Sequence, residues 1–487
     1  MSRREGSEKR ATNFEKREKA STHVSHRENG EDNMRGKSLK PRGLLLLLWA
    51  ALSVSAFGVT GRPSTITYMD ATGQRRIYSF AVADCIVVVD NTCAPQHLVV
   101  NHLLNGAWSW EDLGLPAGAT AVGVPTAVTY QDASGQHVYA FATASGGAVD
   151  KHLVVDSGDG STWNWSDMGA GADNSGVQDI GSAVTFVDST GHQRIYVFVA
   201  EFSGRLAARC WNGFFWAWYD LGVPNGATYV RGGSSVSYSV TASAGNYQEL
   251  EAFVSADNGH LFGASASAAG CSLVRTLWGV FLYCPPVTWQ WTDYGFAPIH
   301  MHSPSLASFW PSAITYLDAA GNQQVYVFIT GYQPGSFEGG GMLAMQKNNA
   351  GISWVDFGVP PGKTGVEPTA SAITYVDASG YQQIYVFAEA NDGHLVTWNT
   401  VNGGWTDQGL PSGKTAVYSP SAITYVIPGC QGFCPPYSTA PRQEIETFAV
   451  ANDGHLVLDQ NAYTTVYSLF GGPRLLETWY WTDQGTM

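Results

Sequence analysis

Trp-x-Asp-x-Gly recurs seven times, at Trp110/Asp112/Gly114, Trp165/Asp167/Gly169, Trp218/Asp220/Gly222, Trp291/Asp293/Gly295, Trp354/Asp356/Gly358, Trp405/Asp407/Gly409 and Trp481/Asp483/Gly485. In five copies a second Trp stands two residues earlier: Trp108, Trp163, Trp216, Trp289 and Trp479. Ahead of each copy lies a strand-like stretch of the "SAITYV" kind, centred on Tyr68, Tyr130, Phe186, Tyr238, Tyr316, Tyr375 and Tyr425. Seven ordered sets require a repeat architecture, and repeats are read before any single motif.

Each unit reads as four strands. The first is rich in β-branched and aromatic residues. It ends in Asp-x-x-Gly in five copies (Asp70, Asp132, Asp188, Asp318, Asp377). There the Asp carboxylate bonds nearby backbone N–H groups and Gly accepts positive φ, which closes a hairpin. One carboxylate per turn is too few for a calcium loop. The second strand is "IYVF"-like. In Ile384–Phe387 successive side chains alternate faces and both faces are apolar, so the strand is covered on both sides. The third strand follows "NDGHL", and the fourth carries Trp-x-Asp-x-Gly, whose Asp is expected to cap the turn backbone.

Such a unit has too much apolar surface to stand alone, and radial packing against two neighbours removes that surface from water. The expected fold is all-β: a seven-bladed β-propeller with four antiparallel strands per blade. Blades are expected at about 62–114, 125–169, 181–222, 233–295, 311–358, 369–409 and 420–485 of a domain spanning 62–485. A pair of β-sandwiches is the alternative, but it has no need of seven equivalent Trp-Asp-Gly corners. The spacing from each motif Gly to the next strand-one aromatic is 16 or 17 residues in five of six cases and 21 in the other, which implies uniform geometry between blades. Insertions in blades 4 and 7 are placed between strands on one side of the ring, and those of blades 1 and 5 on the other.

The front of the chain is different. Residues 1–33 are polar and charged without apolar periodicity, and are read as disordered or not translated. "KSLKPRGLLLLLWAALSVSAFG" has a basic start, an apolar run and small residues at Val54-Ser55-Ala56, so 34–56 reads as a signal peptide headed by Met34. An uncleaved signal anchor is the alternative. A secreted or extracellular protein is expected, with a periplasmic or cell-surface location as the alternative and no membrane span after cleavage. Cysteine usage agrees: Cys85/Cys93, Cys271/Cys284 and Cys430/Cys434 lie in inserted loops and read as local disulfides, leaving Cys210 as a buried thiol.

Of 26 Lys+Arg and 40 Asp+Glu, 12 and 7 fall in the first 42 residues, so the remainder carries 14 basic against 33 acidic residues. That balance disfavours nucleic acid as a partner. The chain has no Gly-x-Ser-x-Gly elbow, zinc-protease helix or phosphate loop. The seven motif Asp residues, one per blade, do not form the close carboxylate pair of a glycosidase. We therefore expect no catalytic residues, cofactor or metal. Five copies place His before the third strand: His97, His152, His260, His394 and His455. These read either as half-exposed turn residues or as ligands that act singly on a sugar. The Tyr of "IYVF" becomes Glu251 in blade 4 and Glu446 in blade 7, read either as polar edge positions or as ligand-gripping carboxylates.

"SPSAITYV", "IYVFAEANDGHL" and "NGGWTDQGLP" resemble the repeat of bacterial seven-bladed propeller lectins of the Photorhabdus type, themselves similar in layout to fungal fucose-binding propeller lectins. The resemblance covers roughly 62–485 and is sharpest at 257–261, 391–395, 452–456 and the seven Trp motifs. The chain does not repeat in each blade the Arg, Glu and aromatic of a fungal-type fucose site. The resemblance implies glycans or glycoproteins as partners, with repeated weak sites whose multivalency gives avidity. Sugar faces stack on aromatic rings while their hydroxyls take directional hydrogen bonds. The sugar-binding candidates are His260, His394, His455, Trp110, Trp165, Trp218 and Trp405. Two other functions fit the same architecture: a protein-interaction or adhesion scaffold using the loops of blades 4 and 7, and a glycan-active enzyme.

Overall fold

The computed structural model describes residues 58–487 apart from 84–86, 89–91, 94–95, 105, 161, 189–191, 243–244, 268–271, 277–278, 284–287, 297–309, 319, 332–339, 377–380, 428–441 and 467–473. Seven antiparallel sheets follow one another along the chain, spanning 59–114, 126–169, 177–222, 230–293, 312–358, 371–409 and 417–483. Each has four strands in sequence order, as in Val59–Met69, Arg75–Ala83, Leu98–Leu104 and Ala107–Gly114 of blade 1, and in blade 2 the short strand Ala121–Val122 pairs with the second strand beside Thr126–Asp132. The first strand of every blade touches the first strands of both neighbours, and blade 7 touches blade 1. The fold is a closed seven-bladed β-propeller, as the repeat implied.

The apolar interior is divided among the seven interfaces. One cluster joins Phe198 and Cys210 of blade 3 to Leu250 and Phe262 of blade 4, another joins Ala81 of blade 1 to Phe448 of blade 7, and the rest repeat the pattern. The Phe of each "IYVF" equivalent (Phe80, Phe141, Phe198, Phe253, Phe328, Phe387, Phe448) is fully buried. Each contributes about 2 kcal/mol of hydrophobic stabilisation. Where the early Trp is present, it packs on the preceding blade: Trp163 lies against Tyr78 and Phe80, and Trp289 against Tyr196 and Phe198.

Trp-x-Asp-x-Gly performs three tasks at once. The Asp carboxylate accepts from the motif Gly N–H in all seven blades, at 2.7–2.9 Å. The Gly has positive φ in every copy, between 65° and 91°, where a side chain would be strained. The register between strands three and four slips by one residue just there, for example Leu98↔Gly114 followed by Val99↔Asp112. This β-bulge takes the residue between Asp and Gly out of the ladder. Its carbonyl then receives the indole N–H of the next blade. Trp165 donates to Leu113, Trp218 to Met168, Trp291 to Leu221, Trp354 to Tyr294, Trp405 to Phe357 and Trp481 to Gln408. Trp110 completes the circle by donating to Gln484.

A second circle runs nearer the axis. The Ser of "SAI" accepts the backbone N–H of the following blade at Ala127→Ser64, Ala313→Ser234, Ala372→Ser312, Ala422→Ser371 and Thr65→Ser421. The turns between strands one and two behave as expected: Asp70 accepts from the N–H of Thr72 and Gln74, Asp132 from Ser134 and Gly135, and Asp318 from Ala320 and Asn322, while Asp377 lies outside the described residues. Between strands three and four, blade 4 carries a further hairpin of Ser272–Thr276 and Gly279–Tyr283, and blade 7 extends those strands as Leu456–Val466 and Arg474–Asp483. Cys85, Cys271, Cys284, Cys430 and Cys434 lie outside the described residues. Cys93 is described only in its backbone, paired with Val87. Cys210 is a buried free thiol, its pKa pushed up to about 12 by burial. Among the described residues no helix is long and apolar enough to cross a membrane.

Candidate functional site

The His residues at the head of strand three meet the Asp at the end of strand four, because antiparallel pairing brings these two positions side by side. The Nδ1 atom lies 2.8–3.1 Å from the carboxylate in His97–Asp112, His152–Asp167, His260–Asp293, His394–Asp407 and His455–Asp483. With Nδ1 held, Nε2 is the remaining polar atom of each ring. In blade 3 Arg205 takes the same place and grips Asp220 through Nε and Nη2 at 2.9 and 2.5 Å. In blade 5 the place is held by Gly341.

Blades 6 and 7 add a lysine from the incoming linker. Lys363 Nζ reaches Asp392 at 2.5 Å and Asp407 at 2.9 Å; Lys414 reaches Asp453 at 2.5 Å and Asp483 at 3.2 Å. Burial works against ionisation of Asp407 and Asp483, but the Lys, His and backbone donors outweigh it and hold both below the usual carboxylate range. These two four-residue sets, Lys363/Asp392/His394/Asp407 and Lys414/Asp453/His455/Asp483, are near copies of each other. The histidines are partly exposed and the carboxylates more so.

Blade 4 adds an apolar surface. The exposed ring of Phe296 lies edge-on to His260, with centroids 4.0 Å apart, while Asp293 holds the imidazole through Nδ1. An aromatic platform and a fixed polar group therefore stand side by side. The tryptophans considered for sugar contact, Trp110, Trp165, Trp218 and Trp405, are partly buried, and each indole N–H is spent on a neighbouring blade. They serve the ring's closure.

Glu251 and Glu446 are not at an edge: both are buried between blades, because strand two is sandwiched on both faces. Glu251 accepts from the hydroxyls of Tyr238 (3.0 Å) and Tyr294 and from Lys347 Nζ of blade 5 at 2.8 Å. Glu446 accepts from Tyr425 at 2.6 Å, with the Arg75 guanidinium of blade 1 over the same tyrosine ring at 3.6 Å. Burial raises the Glu446 carboxyl to about 7. Glu251 thus pairs with a cation of the following blade, whereas Glu446 meets Arg75 only through the shared Tyr425 and keeps Oε2 without a hydrogen-bond partner; both acids are buried. Among the described residues no set of three His, Cys, Asp or Glu converges as metal ligands.

Near the axis the repeat loses its uniformity. The position two residues before the axial Ser or Thr is Arg62, Val124, Ile180, Gly232, Trp310, Thr369 or Ser419, seven different residues in seven blades. All of them but Gly232 line a cavity of about 350 Å³, to which blade 4 contributes Gly233 and Ser234. Sequence reasoning missed this site, although the variation itself, at a position where the rest of the strand repeats, was the available signal.

The fold and rim define a propeller that repeats one polar surface unit around its circumference. Among solved structures the chain is similar to AofleA of Arthrobotrys oligospora (13% identity, TM-score 0.40, covering 73% of this chain and 88% of that one). It is also similar to the six-bladed fucose-recognising lectin of Aleuria aurantia (12%, TM-score 0.38, 74% and 96%). A third similar structure is the α-L-arabinofuranosidase Arb93A of Fusarium graminearum (10%, TM-score 0.42, 68% and 88%). No protein-family model and no curated protein matches the chain.

Proposed function

We propose that this is a secreted carbohydrate-binding propeller whose rim carries repeated weak sites. The observation that carries the reading is the blade 4 rim, where the exposed Phe296 ring adjoins His260 and Asp293. A sugar's C–H face stacks on such a ring while its hydroxyls bond the imidazole and carboxylate. The polar half of that arrangement recurs at His97, His152, His394 and His455. One ring with several such sites binds a multivalent glycan far more tightly than a single sugar. The signal-like segment 34–56 and the resemblance of the repeat to propeller lectins support the same reading.

Glycan-array binding followed by calorimetry with the monosaccharide found is the test. Binding should weaken in Phe296→Ala and His260→Ala and fall further when His394→Ala and His455→Ala are added. Binding that survives all four substitutions unchanged would sink the rim reading. The scaffold reading is favoured by the additional hairpin of blade 4, and deleting 271–284 separates it: glycan binding is retained in a rim lectin and partner binding is lost in a scaffold.

A further inference from the structure

The axial cavity places opposite charges in one small enclosure without pairing them. Arg62 enters from blade 1 and makes a single hydrogen bond, from Nη2 to the carbonyl of Ala370 at 3.2 Å. Among the described residues this is its hydrogen bond, although a guanidinium carries five N–H donors. Asp179 enters from blade 3 and accepts from the indole N–H of Trp310 of blade 5 at 3.1 Å. Arg62 and Asp179 sense each other's charge yet form no ion pair. Burial pushes the guanidinium pKa down and the carboxyl pKa up, so each charge lacks full solvation where it stands. Thr369 lines the same space and has a buried hydroxyl with no hydrogen-bond partner.

The enclosure is held open by design of the strands around it. The first strands of blades 1, 3, 4 and 7 all slip register at this level, between Thr60 and Ser64, around Asp179, between Arg231 and Ser234 and between Tyr418 and Ser421, which interrupts the alternation of the strands around the cavity. Gly181 and Gly233 let two blades approach so closely that a Cβ on Gly181 would stand 3.0 Å from the Gly233 Cα. The volume, about 350 Å³, is that of a small-ligand pocket. A guanidinium fork suits a carboxylate, a separate carboxylate suits an ammonium group, and the partly exposed Trp310 ring suits an apolar flank.

We infer that the axial cavity binds a small zwitterion of the α-amino-acid class, its carboxylate on Arg62, its ammonium on Asp179 and its side chain along Trp310. This site is separate from the rim and independent of the sugar reading. Cutting one charge off the ligand leaves a half-buried protein charge unmatched, which weakens binding.

The test is calorimetry of the full chain with leucine and phenylalanine, and with their amides and N-acetyl derivatives. The free amino acids should bind, and both derivatives should bind at least about tenfold more weakly, about 1.4 kcal/mol. Asp179→Asn should remove the preference for the free amine while keeping that for the free carboxylate, and Arg62→Gln should do the reverse. The derivative series needs no variant, so a folding defect does not obscure it. No binding by either amino acid, or equal binding by amide, N-acetyl derivative and a neutral monosaccharide, overturns the inference.

Discussion

Trp110 donates its indole N–H to the carbonyl of Gln484 at 3.1 Å, across 374 residues of sequence. This bond and its neighbours, Val59 N–H to Gly454 O at 2.7 Å and Thr65 N–H to Ser421 Oγ at 3.1 Å, close the ring. All four strands of blade 1 and all four of blade 7 come from contiguous stretches, so no strand is exchanged between the ends. Closure rests on side-by-side packing and these bonds. Trp110→Phe keeps the ring and loses the bond. It should cost about 1 kcal/mol, read as a lower urea midpoint, and Trp481→Phe should cost the same at an interior interface.

The motif Asp has a cap and, in most blades, a partner. Asp356 caps Gly358 and faces Gly341, whereas Asp407 caps Gly409 and also holds His394 and Lys363. Asp356→Ala should lower stability by about 1 kcal/mol. Asp407→Ala should cost more, because Lys363, with a side chain only 7% exposed, loses one of its two carboxylates. Equal midpoints for the two variants would show that the rim ion pairs contribute nothing.

Lys347 and Glu251 form an ion pair in which the carboxylate is fully buried. Removing the cation alone leaves a buried acid held only by tyrosine hydroxyls. Lys347→Met should destabilise by about 3 kcal/mol, and Lys347→Met with Glu251→Gln should recover most of that loss. Chemical unfolding of the two variants checks it; a double variant no better than the single one contradicts it.

Three buried acids and the half-buried Glu389 give the fold an acidic optimum. Burial raises Asp459 to about 8 and Asp156, Glu389 and Glu446 to about 7, against ordinary values of 3.8 for Asp and 4.5 for Glu. A carboxyl whose folded pKa is raised favours the fold while protonated. Its penalty is absent below the unfolded value, grows as pH rises to the folded value, and is constant beyond it. Asp407 and Asp483 act oppositely: their stabilisation is present above the unfolded value and lost as pH falls through the lowered folded one. Thermal stability should therefore peak between about pH 4 and 6. Asp459→Asn should raise the melting temperature at pH 8 and leave it unchanged at pH 4; a lower value at pH 8 refutes the assignment.

The sequence alone determined the architecture. Seven Trp-x-Asp-x-Gly copies, the all-apolar "IYVF" strands and near-constant linkers admit a closed ring of four-stranded sheets, because each repeat is a local statement about turn, strand and covered face. The cap made by each Asp was legible for the same reason, since Asp and Gly are two residues apart. The rim pairs were not. His and Asp are separated by 15, 15, 33, 13 and 28 residues, because the loop between them varies while the ladder does not. Only tertiary structure decided what the motif Trp does, since its acceptor belongs to another blade and exists only where a bulge frees a carbonyl. The axis is the extreme case: Asp179 and Trp310 are 131 residues apart. They meet because ring closure brings every first strand to one line, and a linear pattern does not encode what converges there.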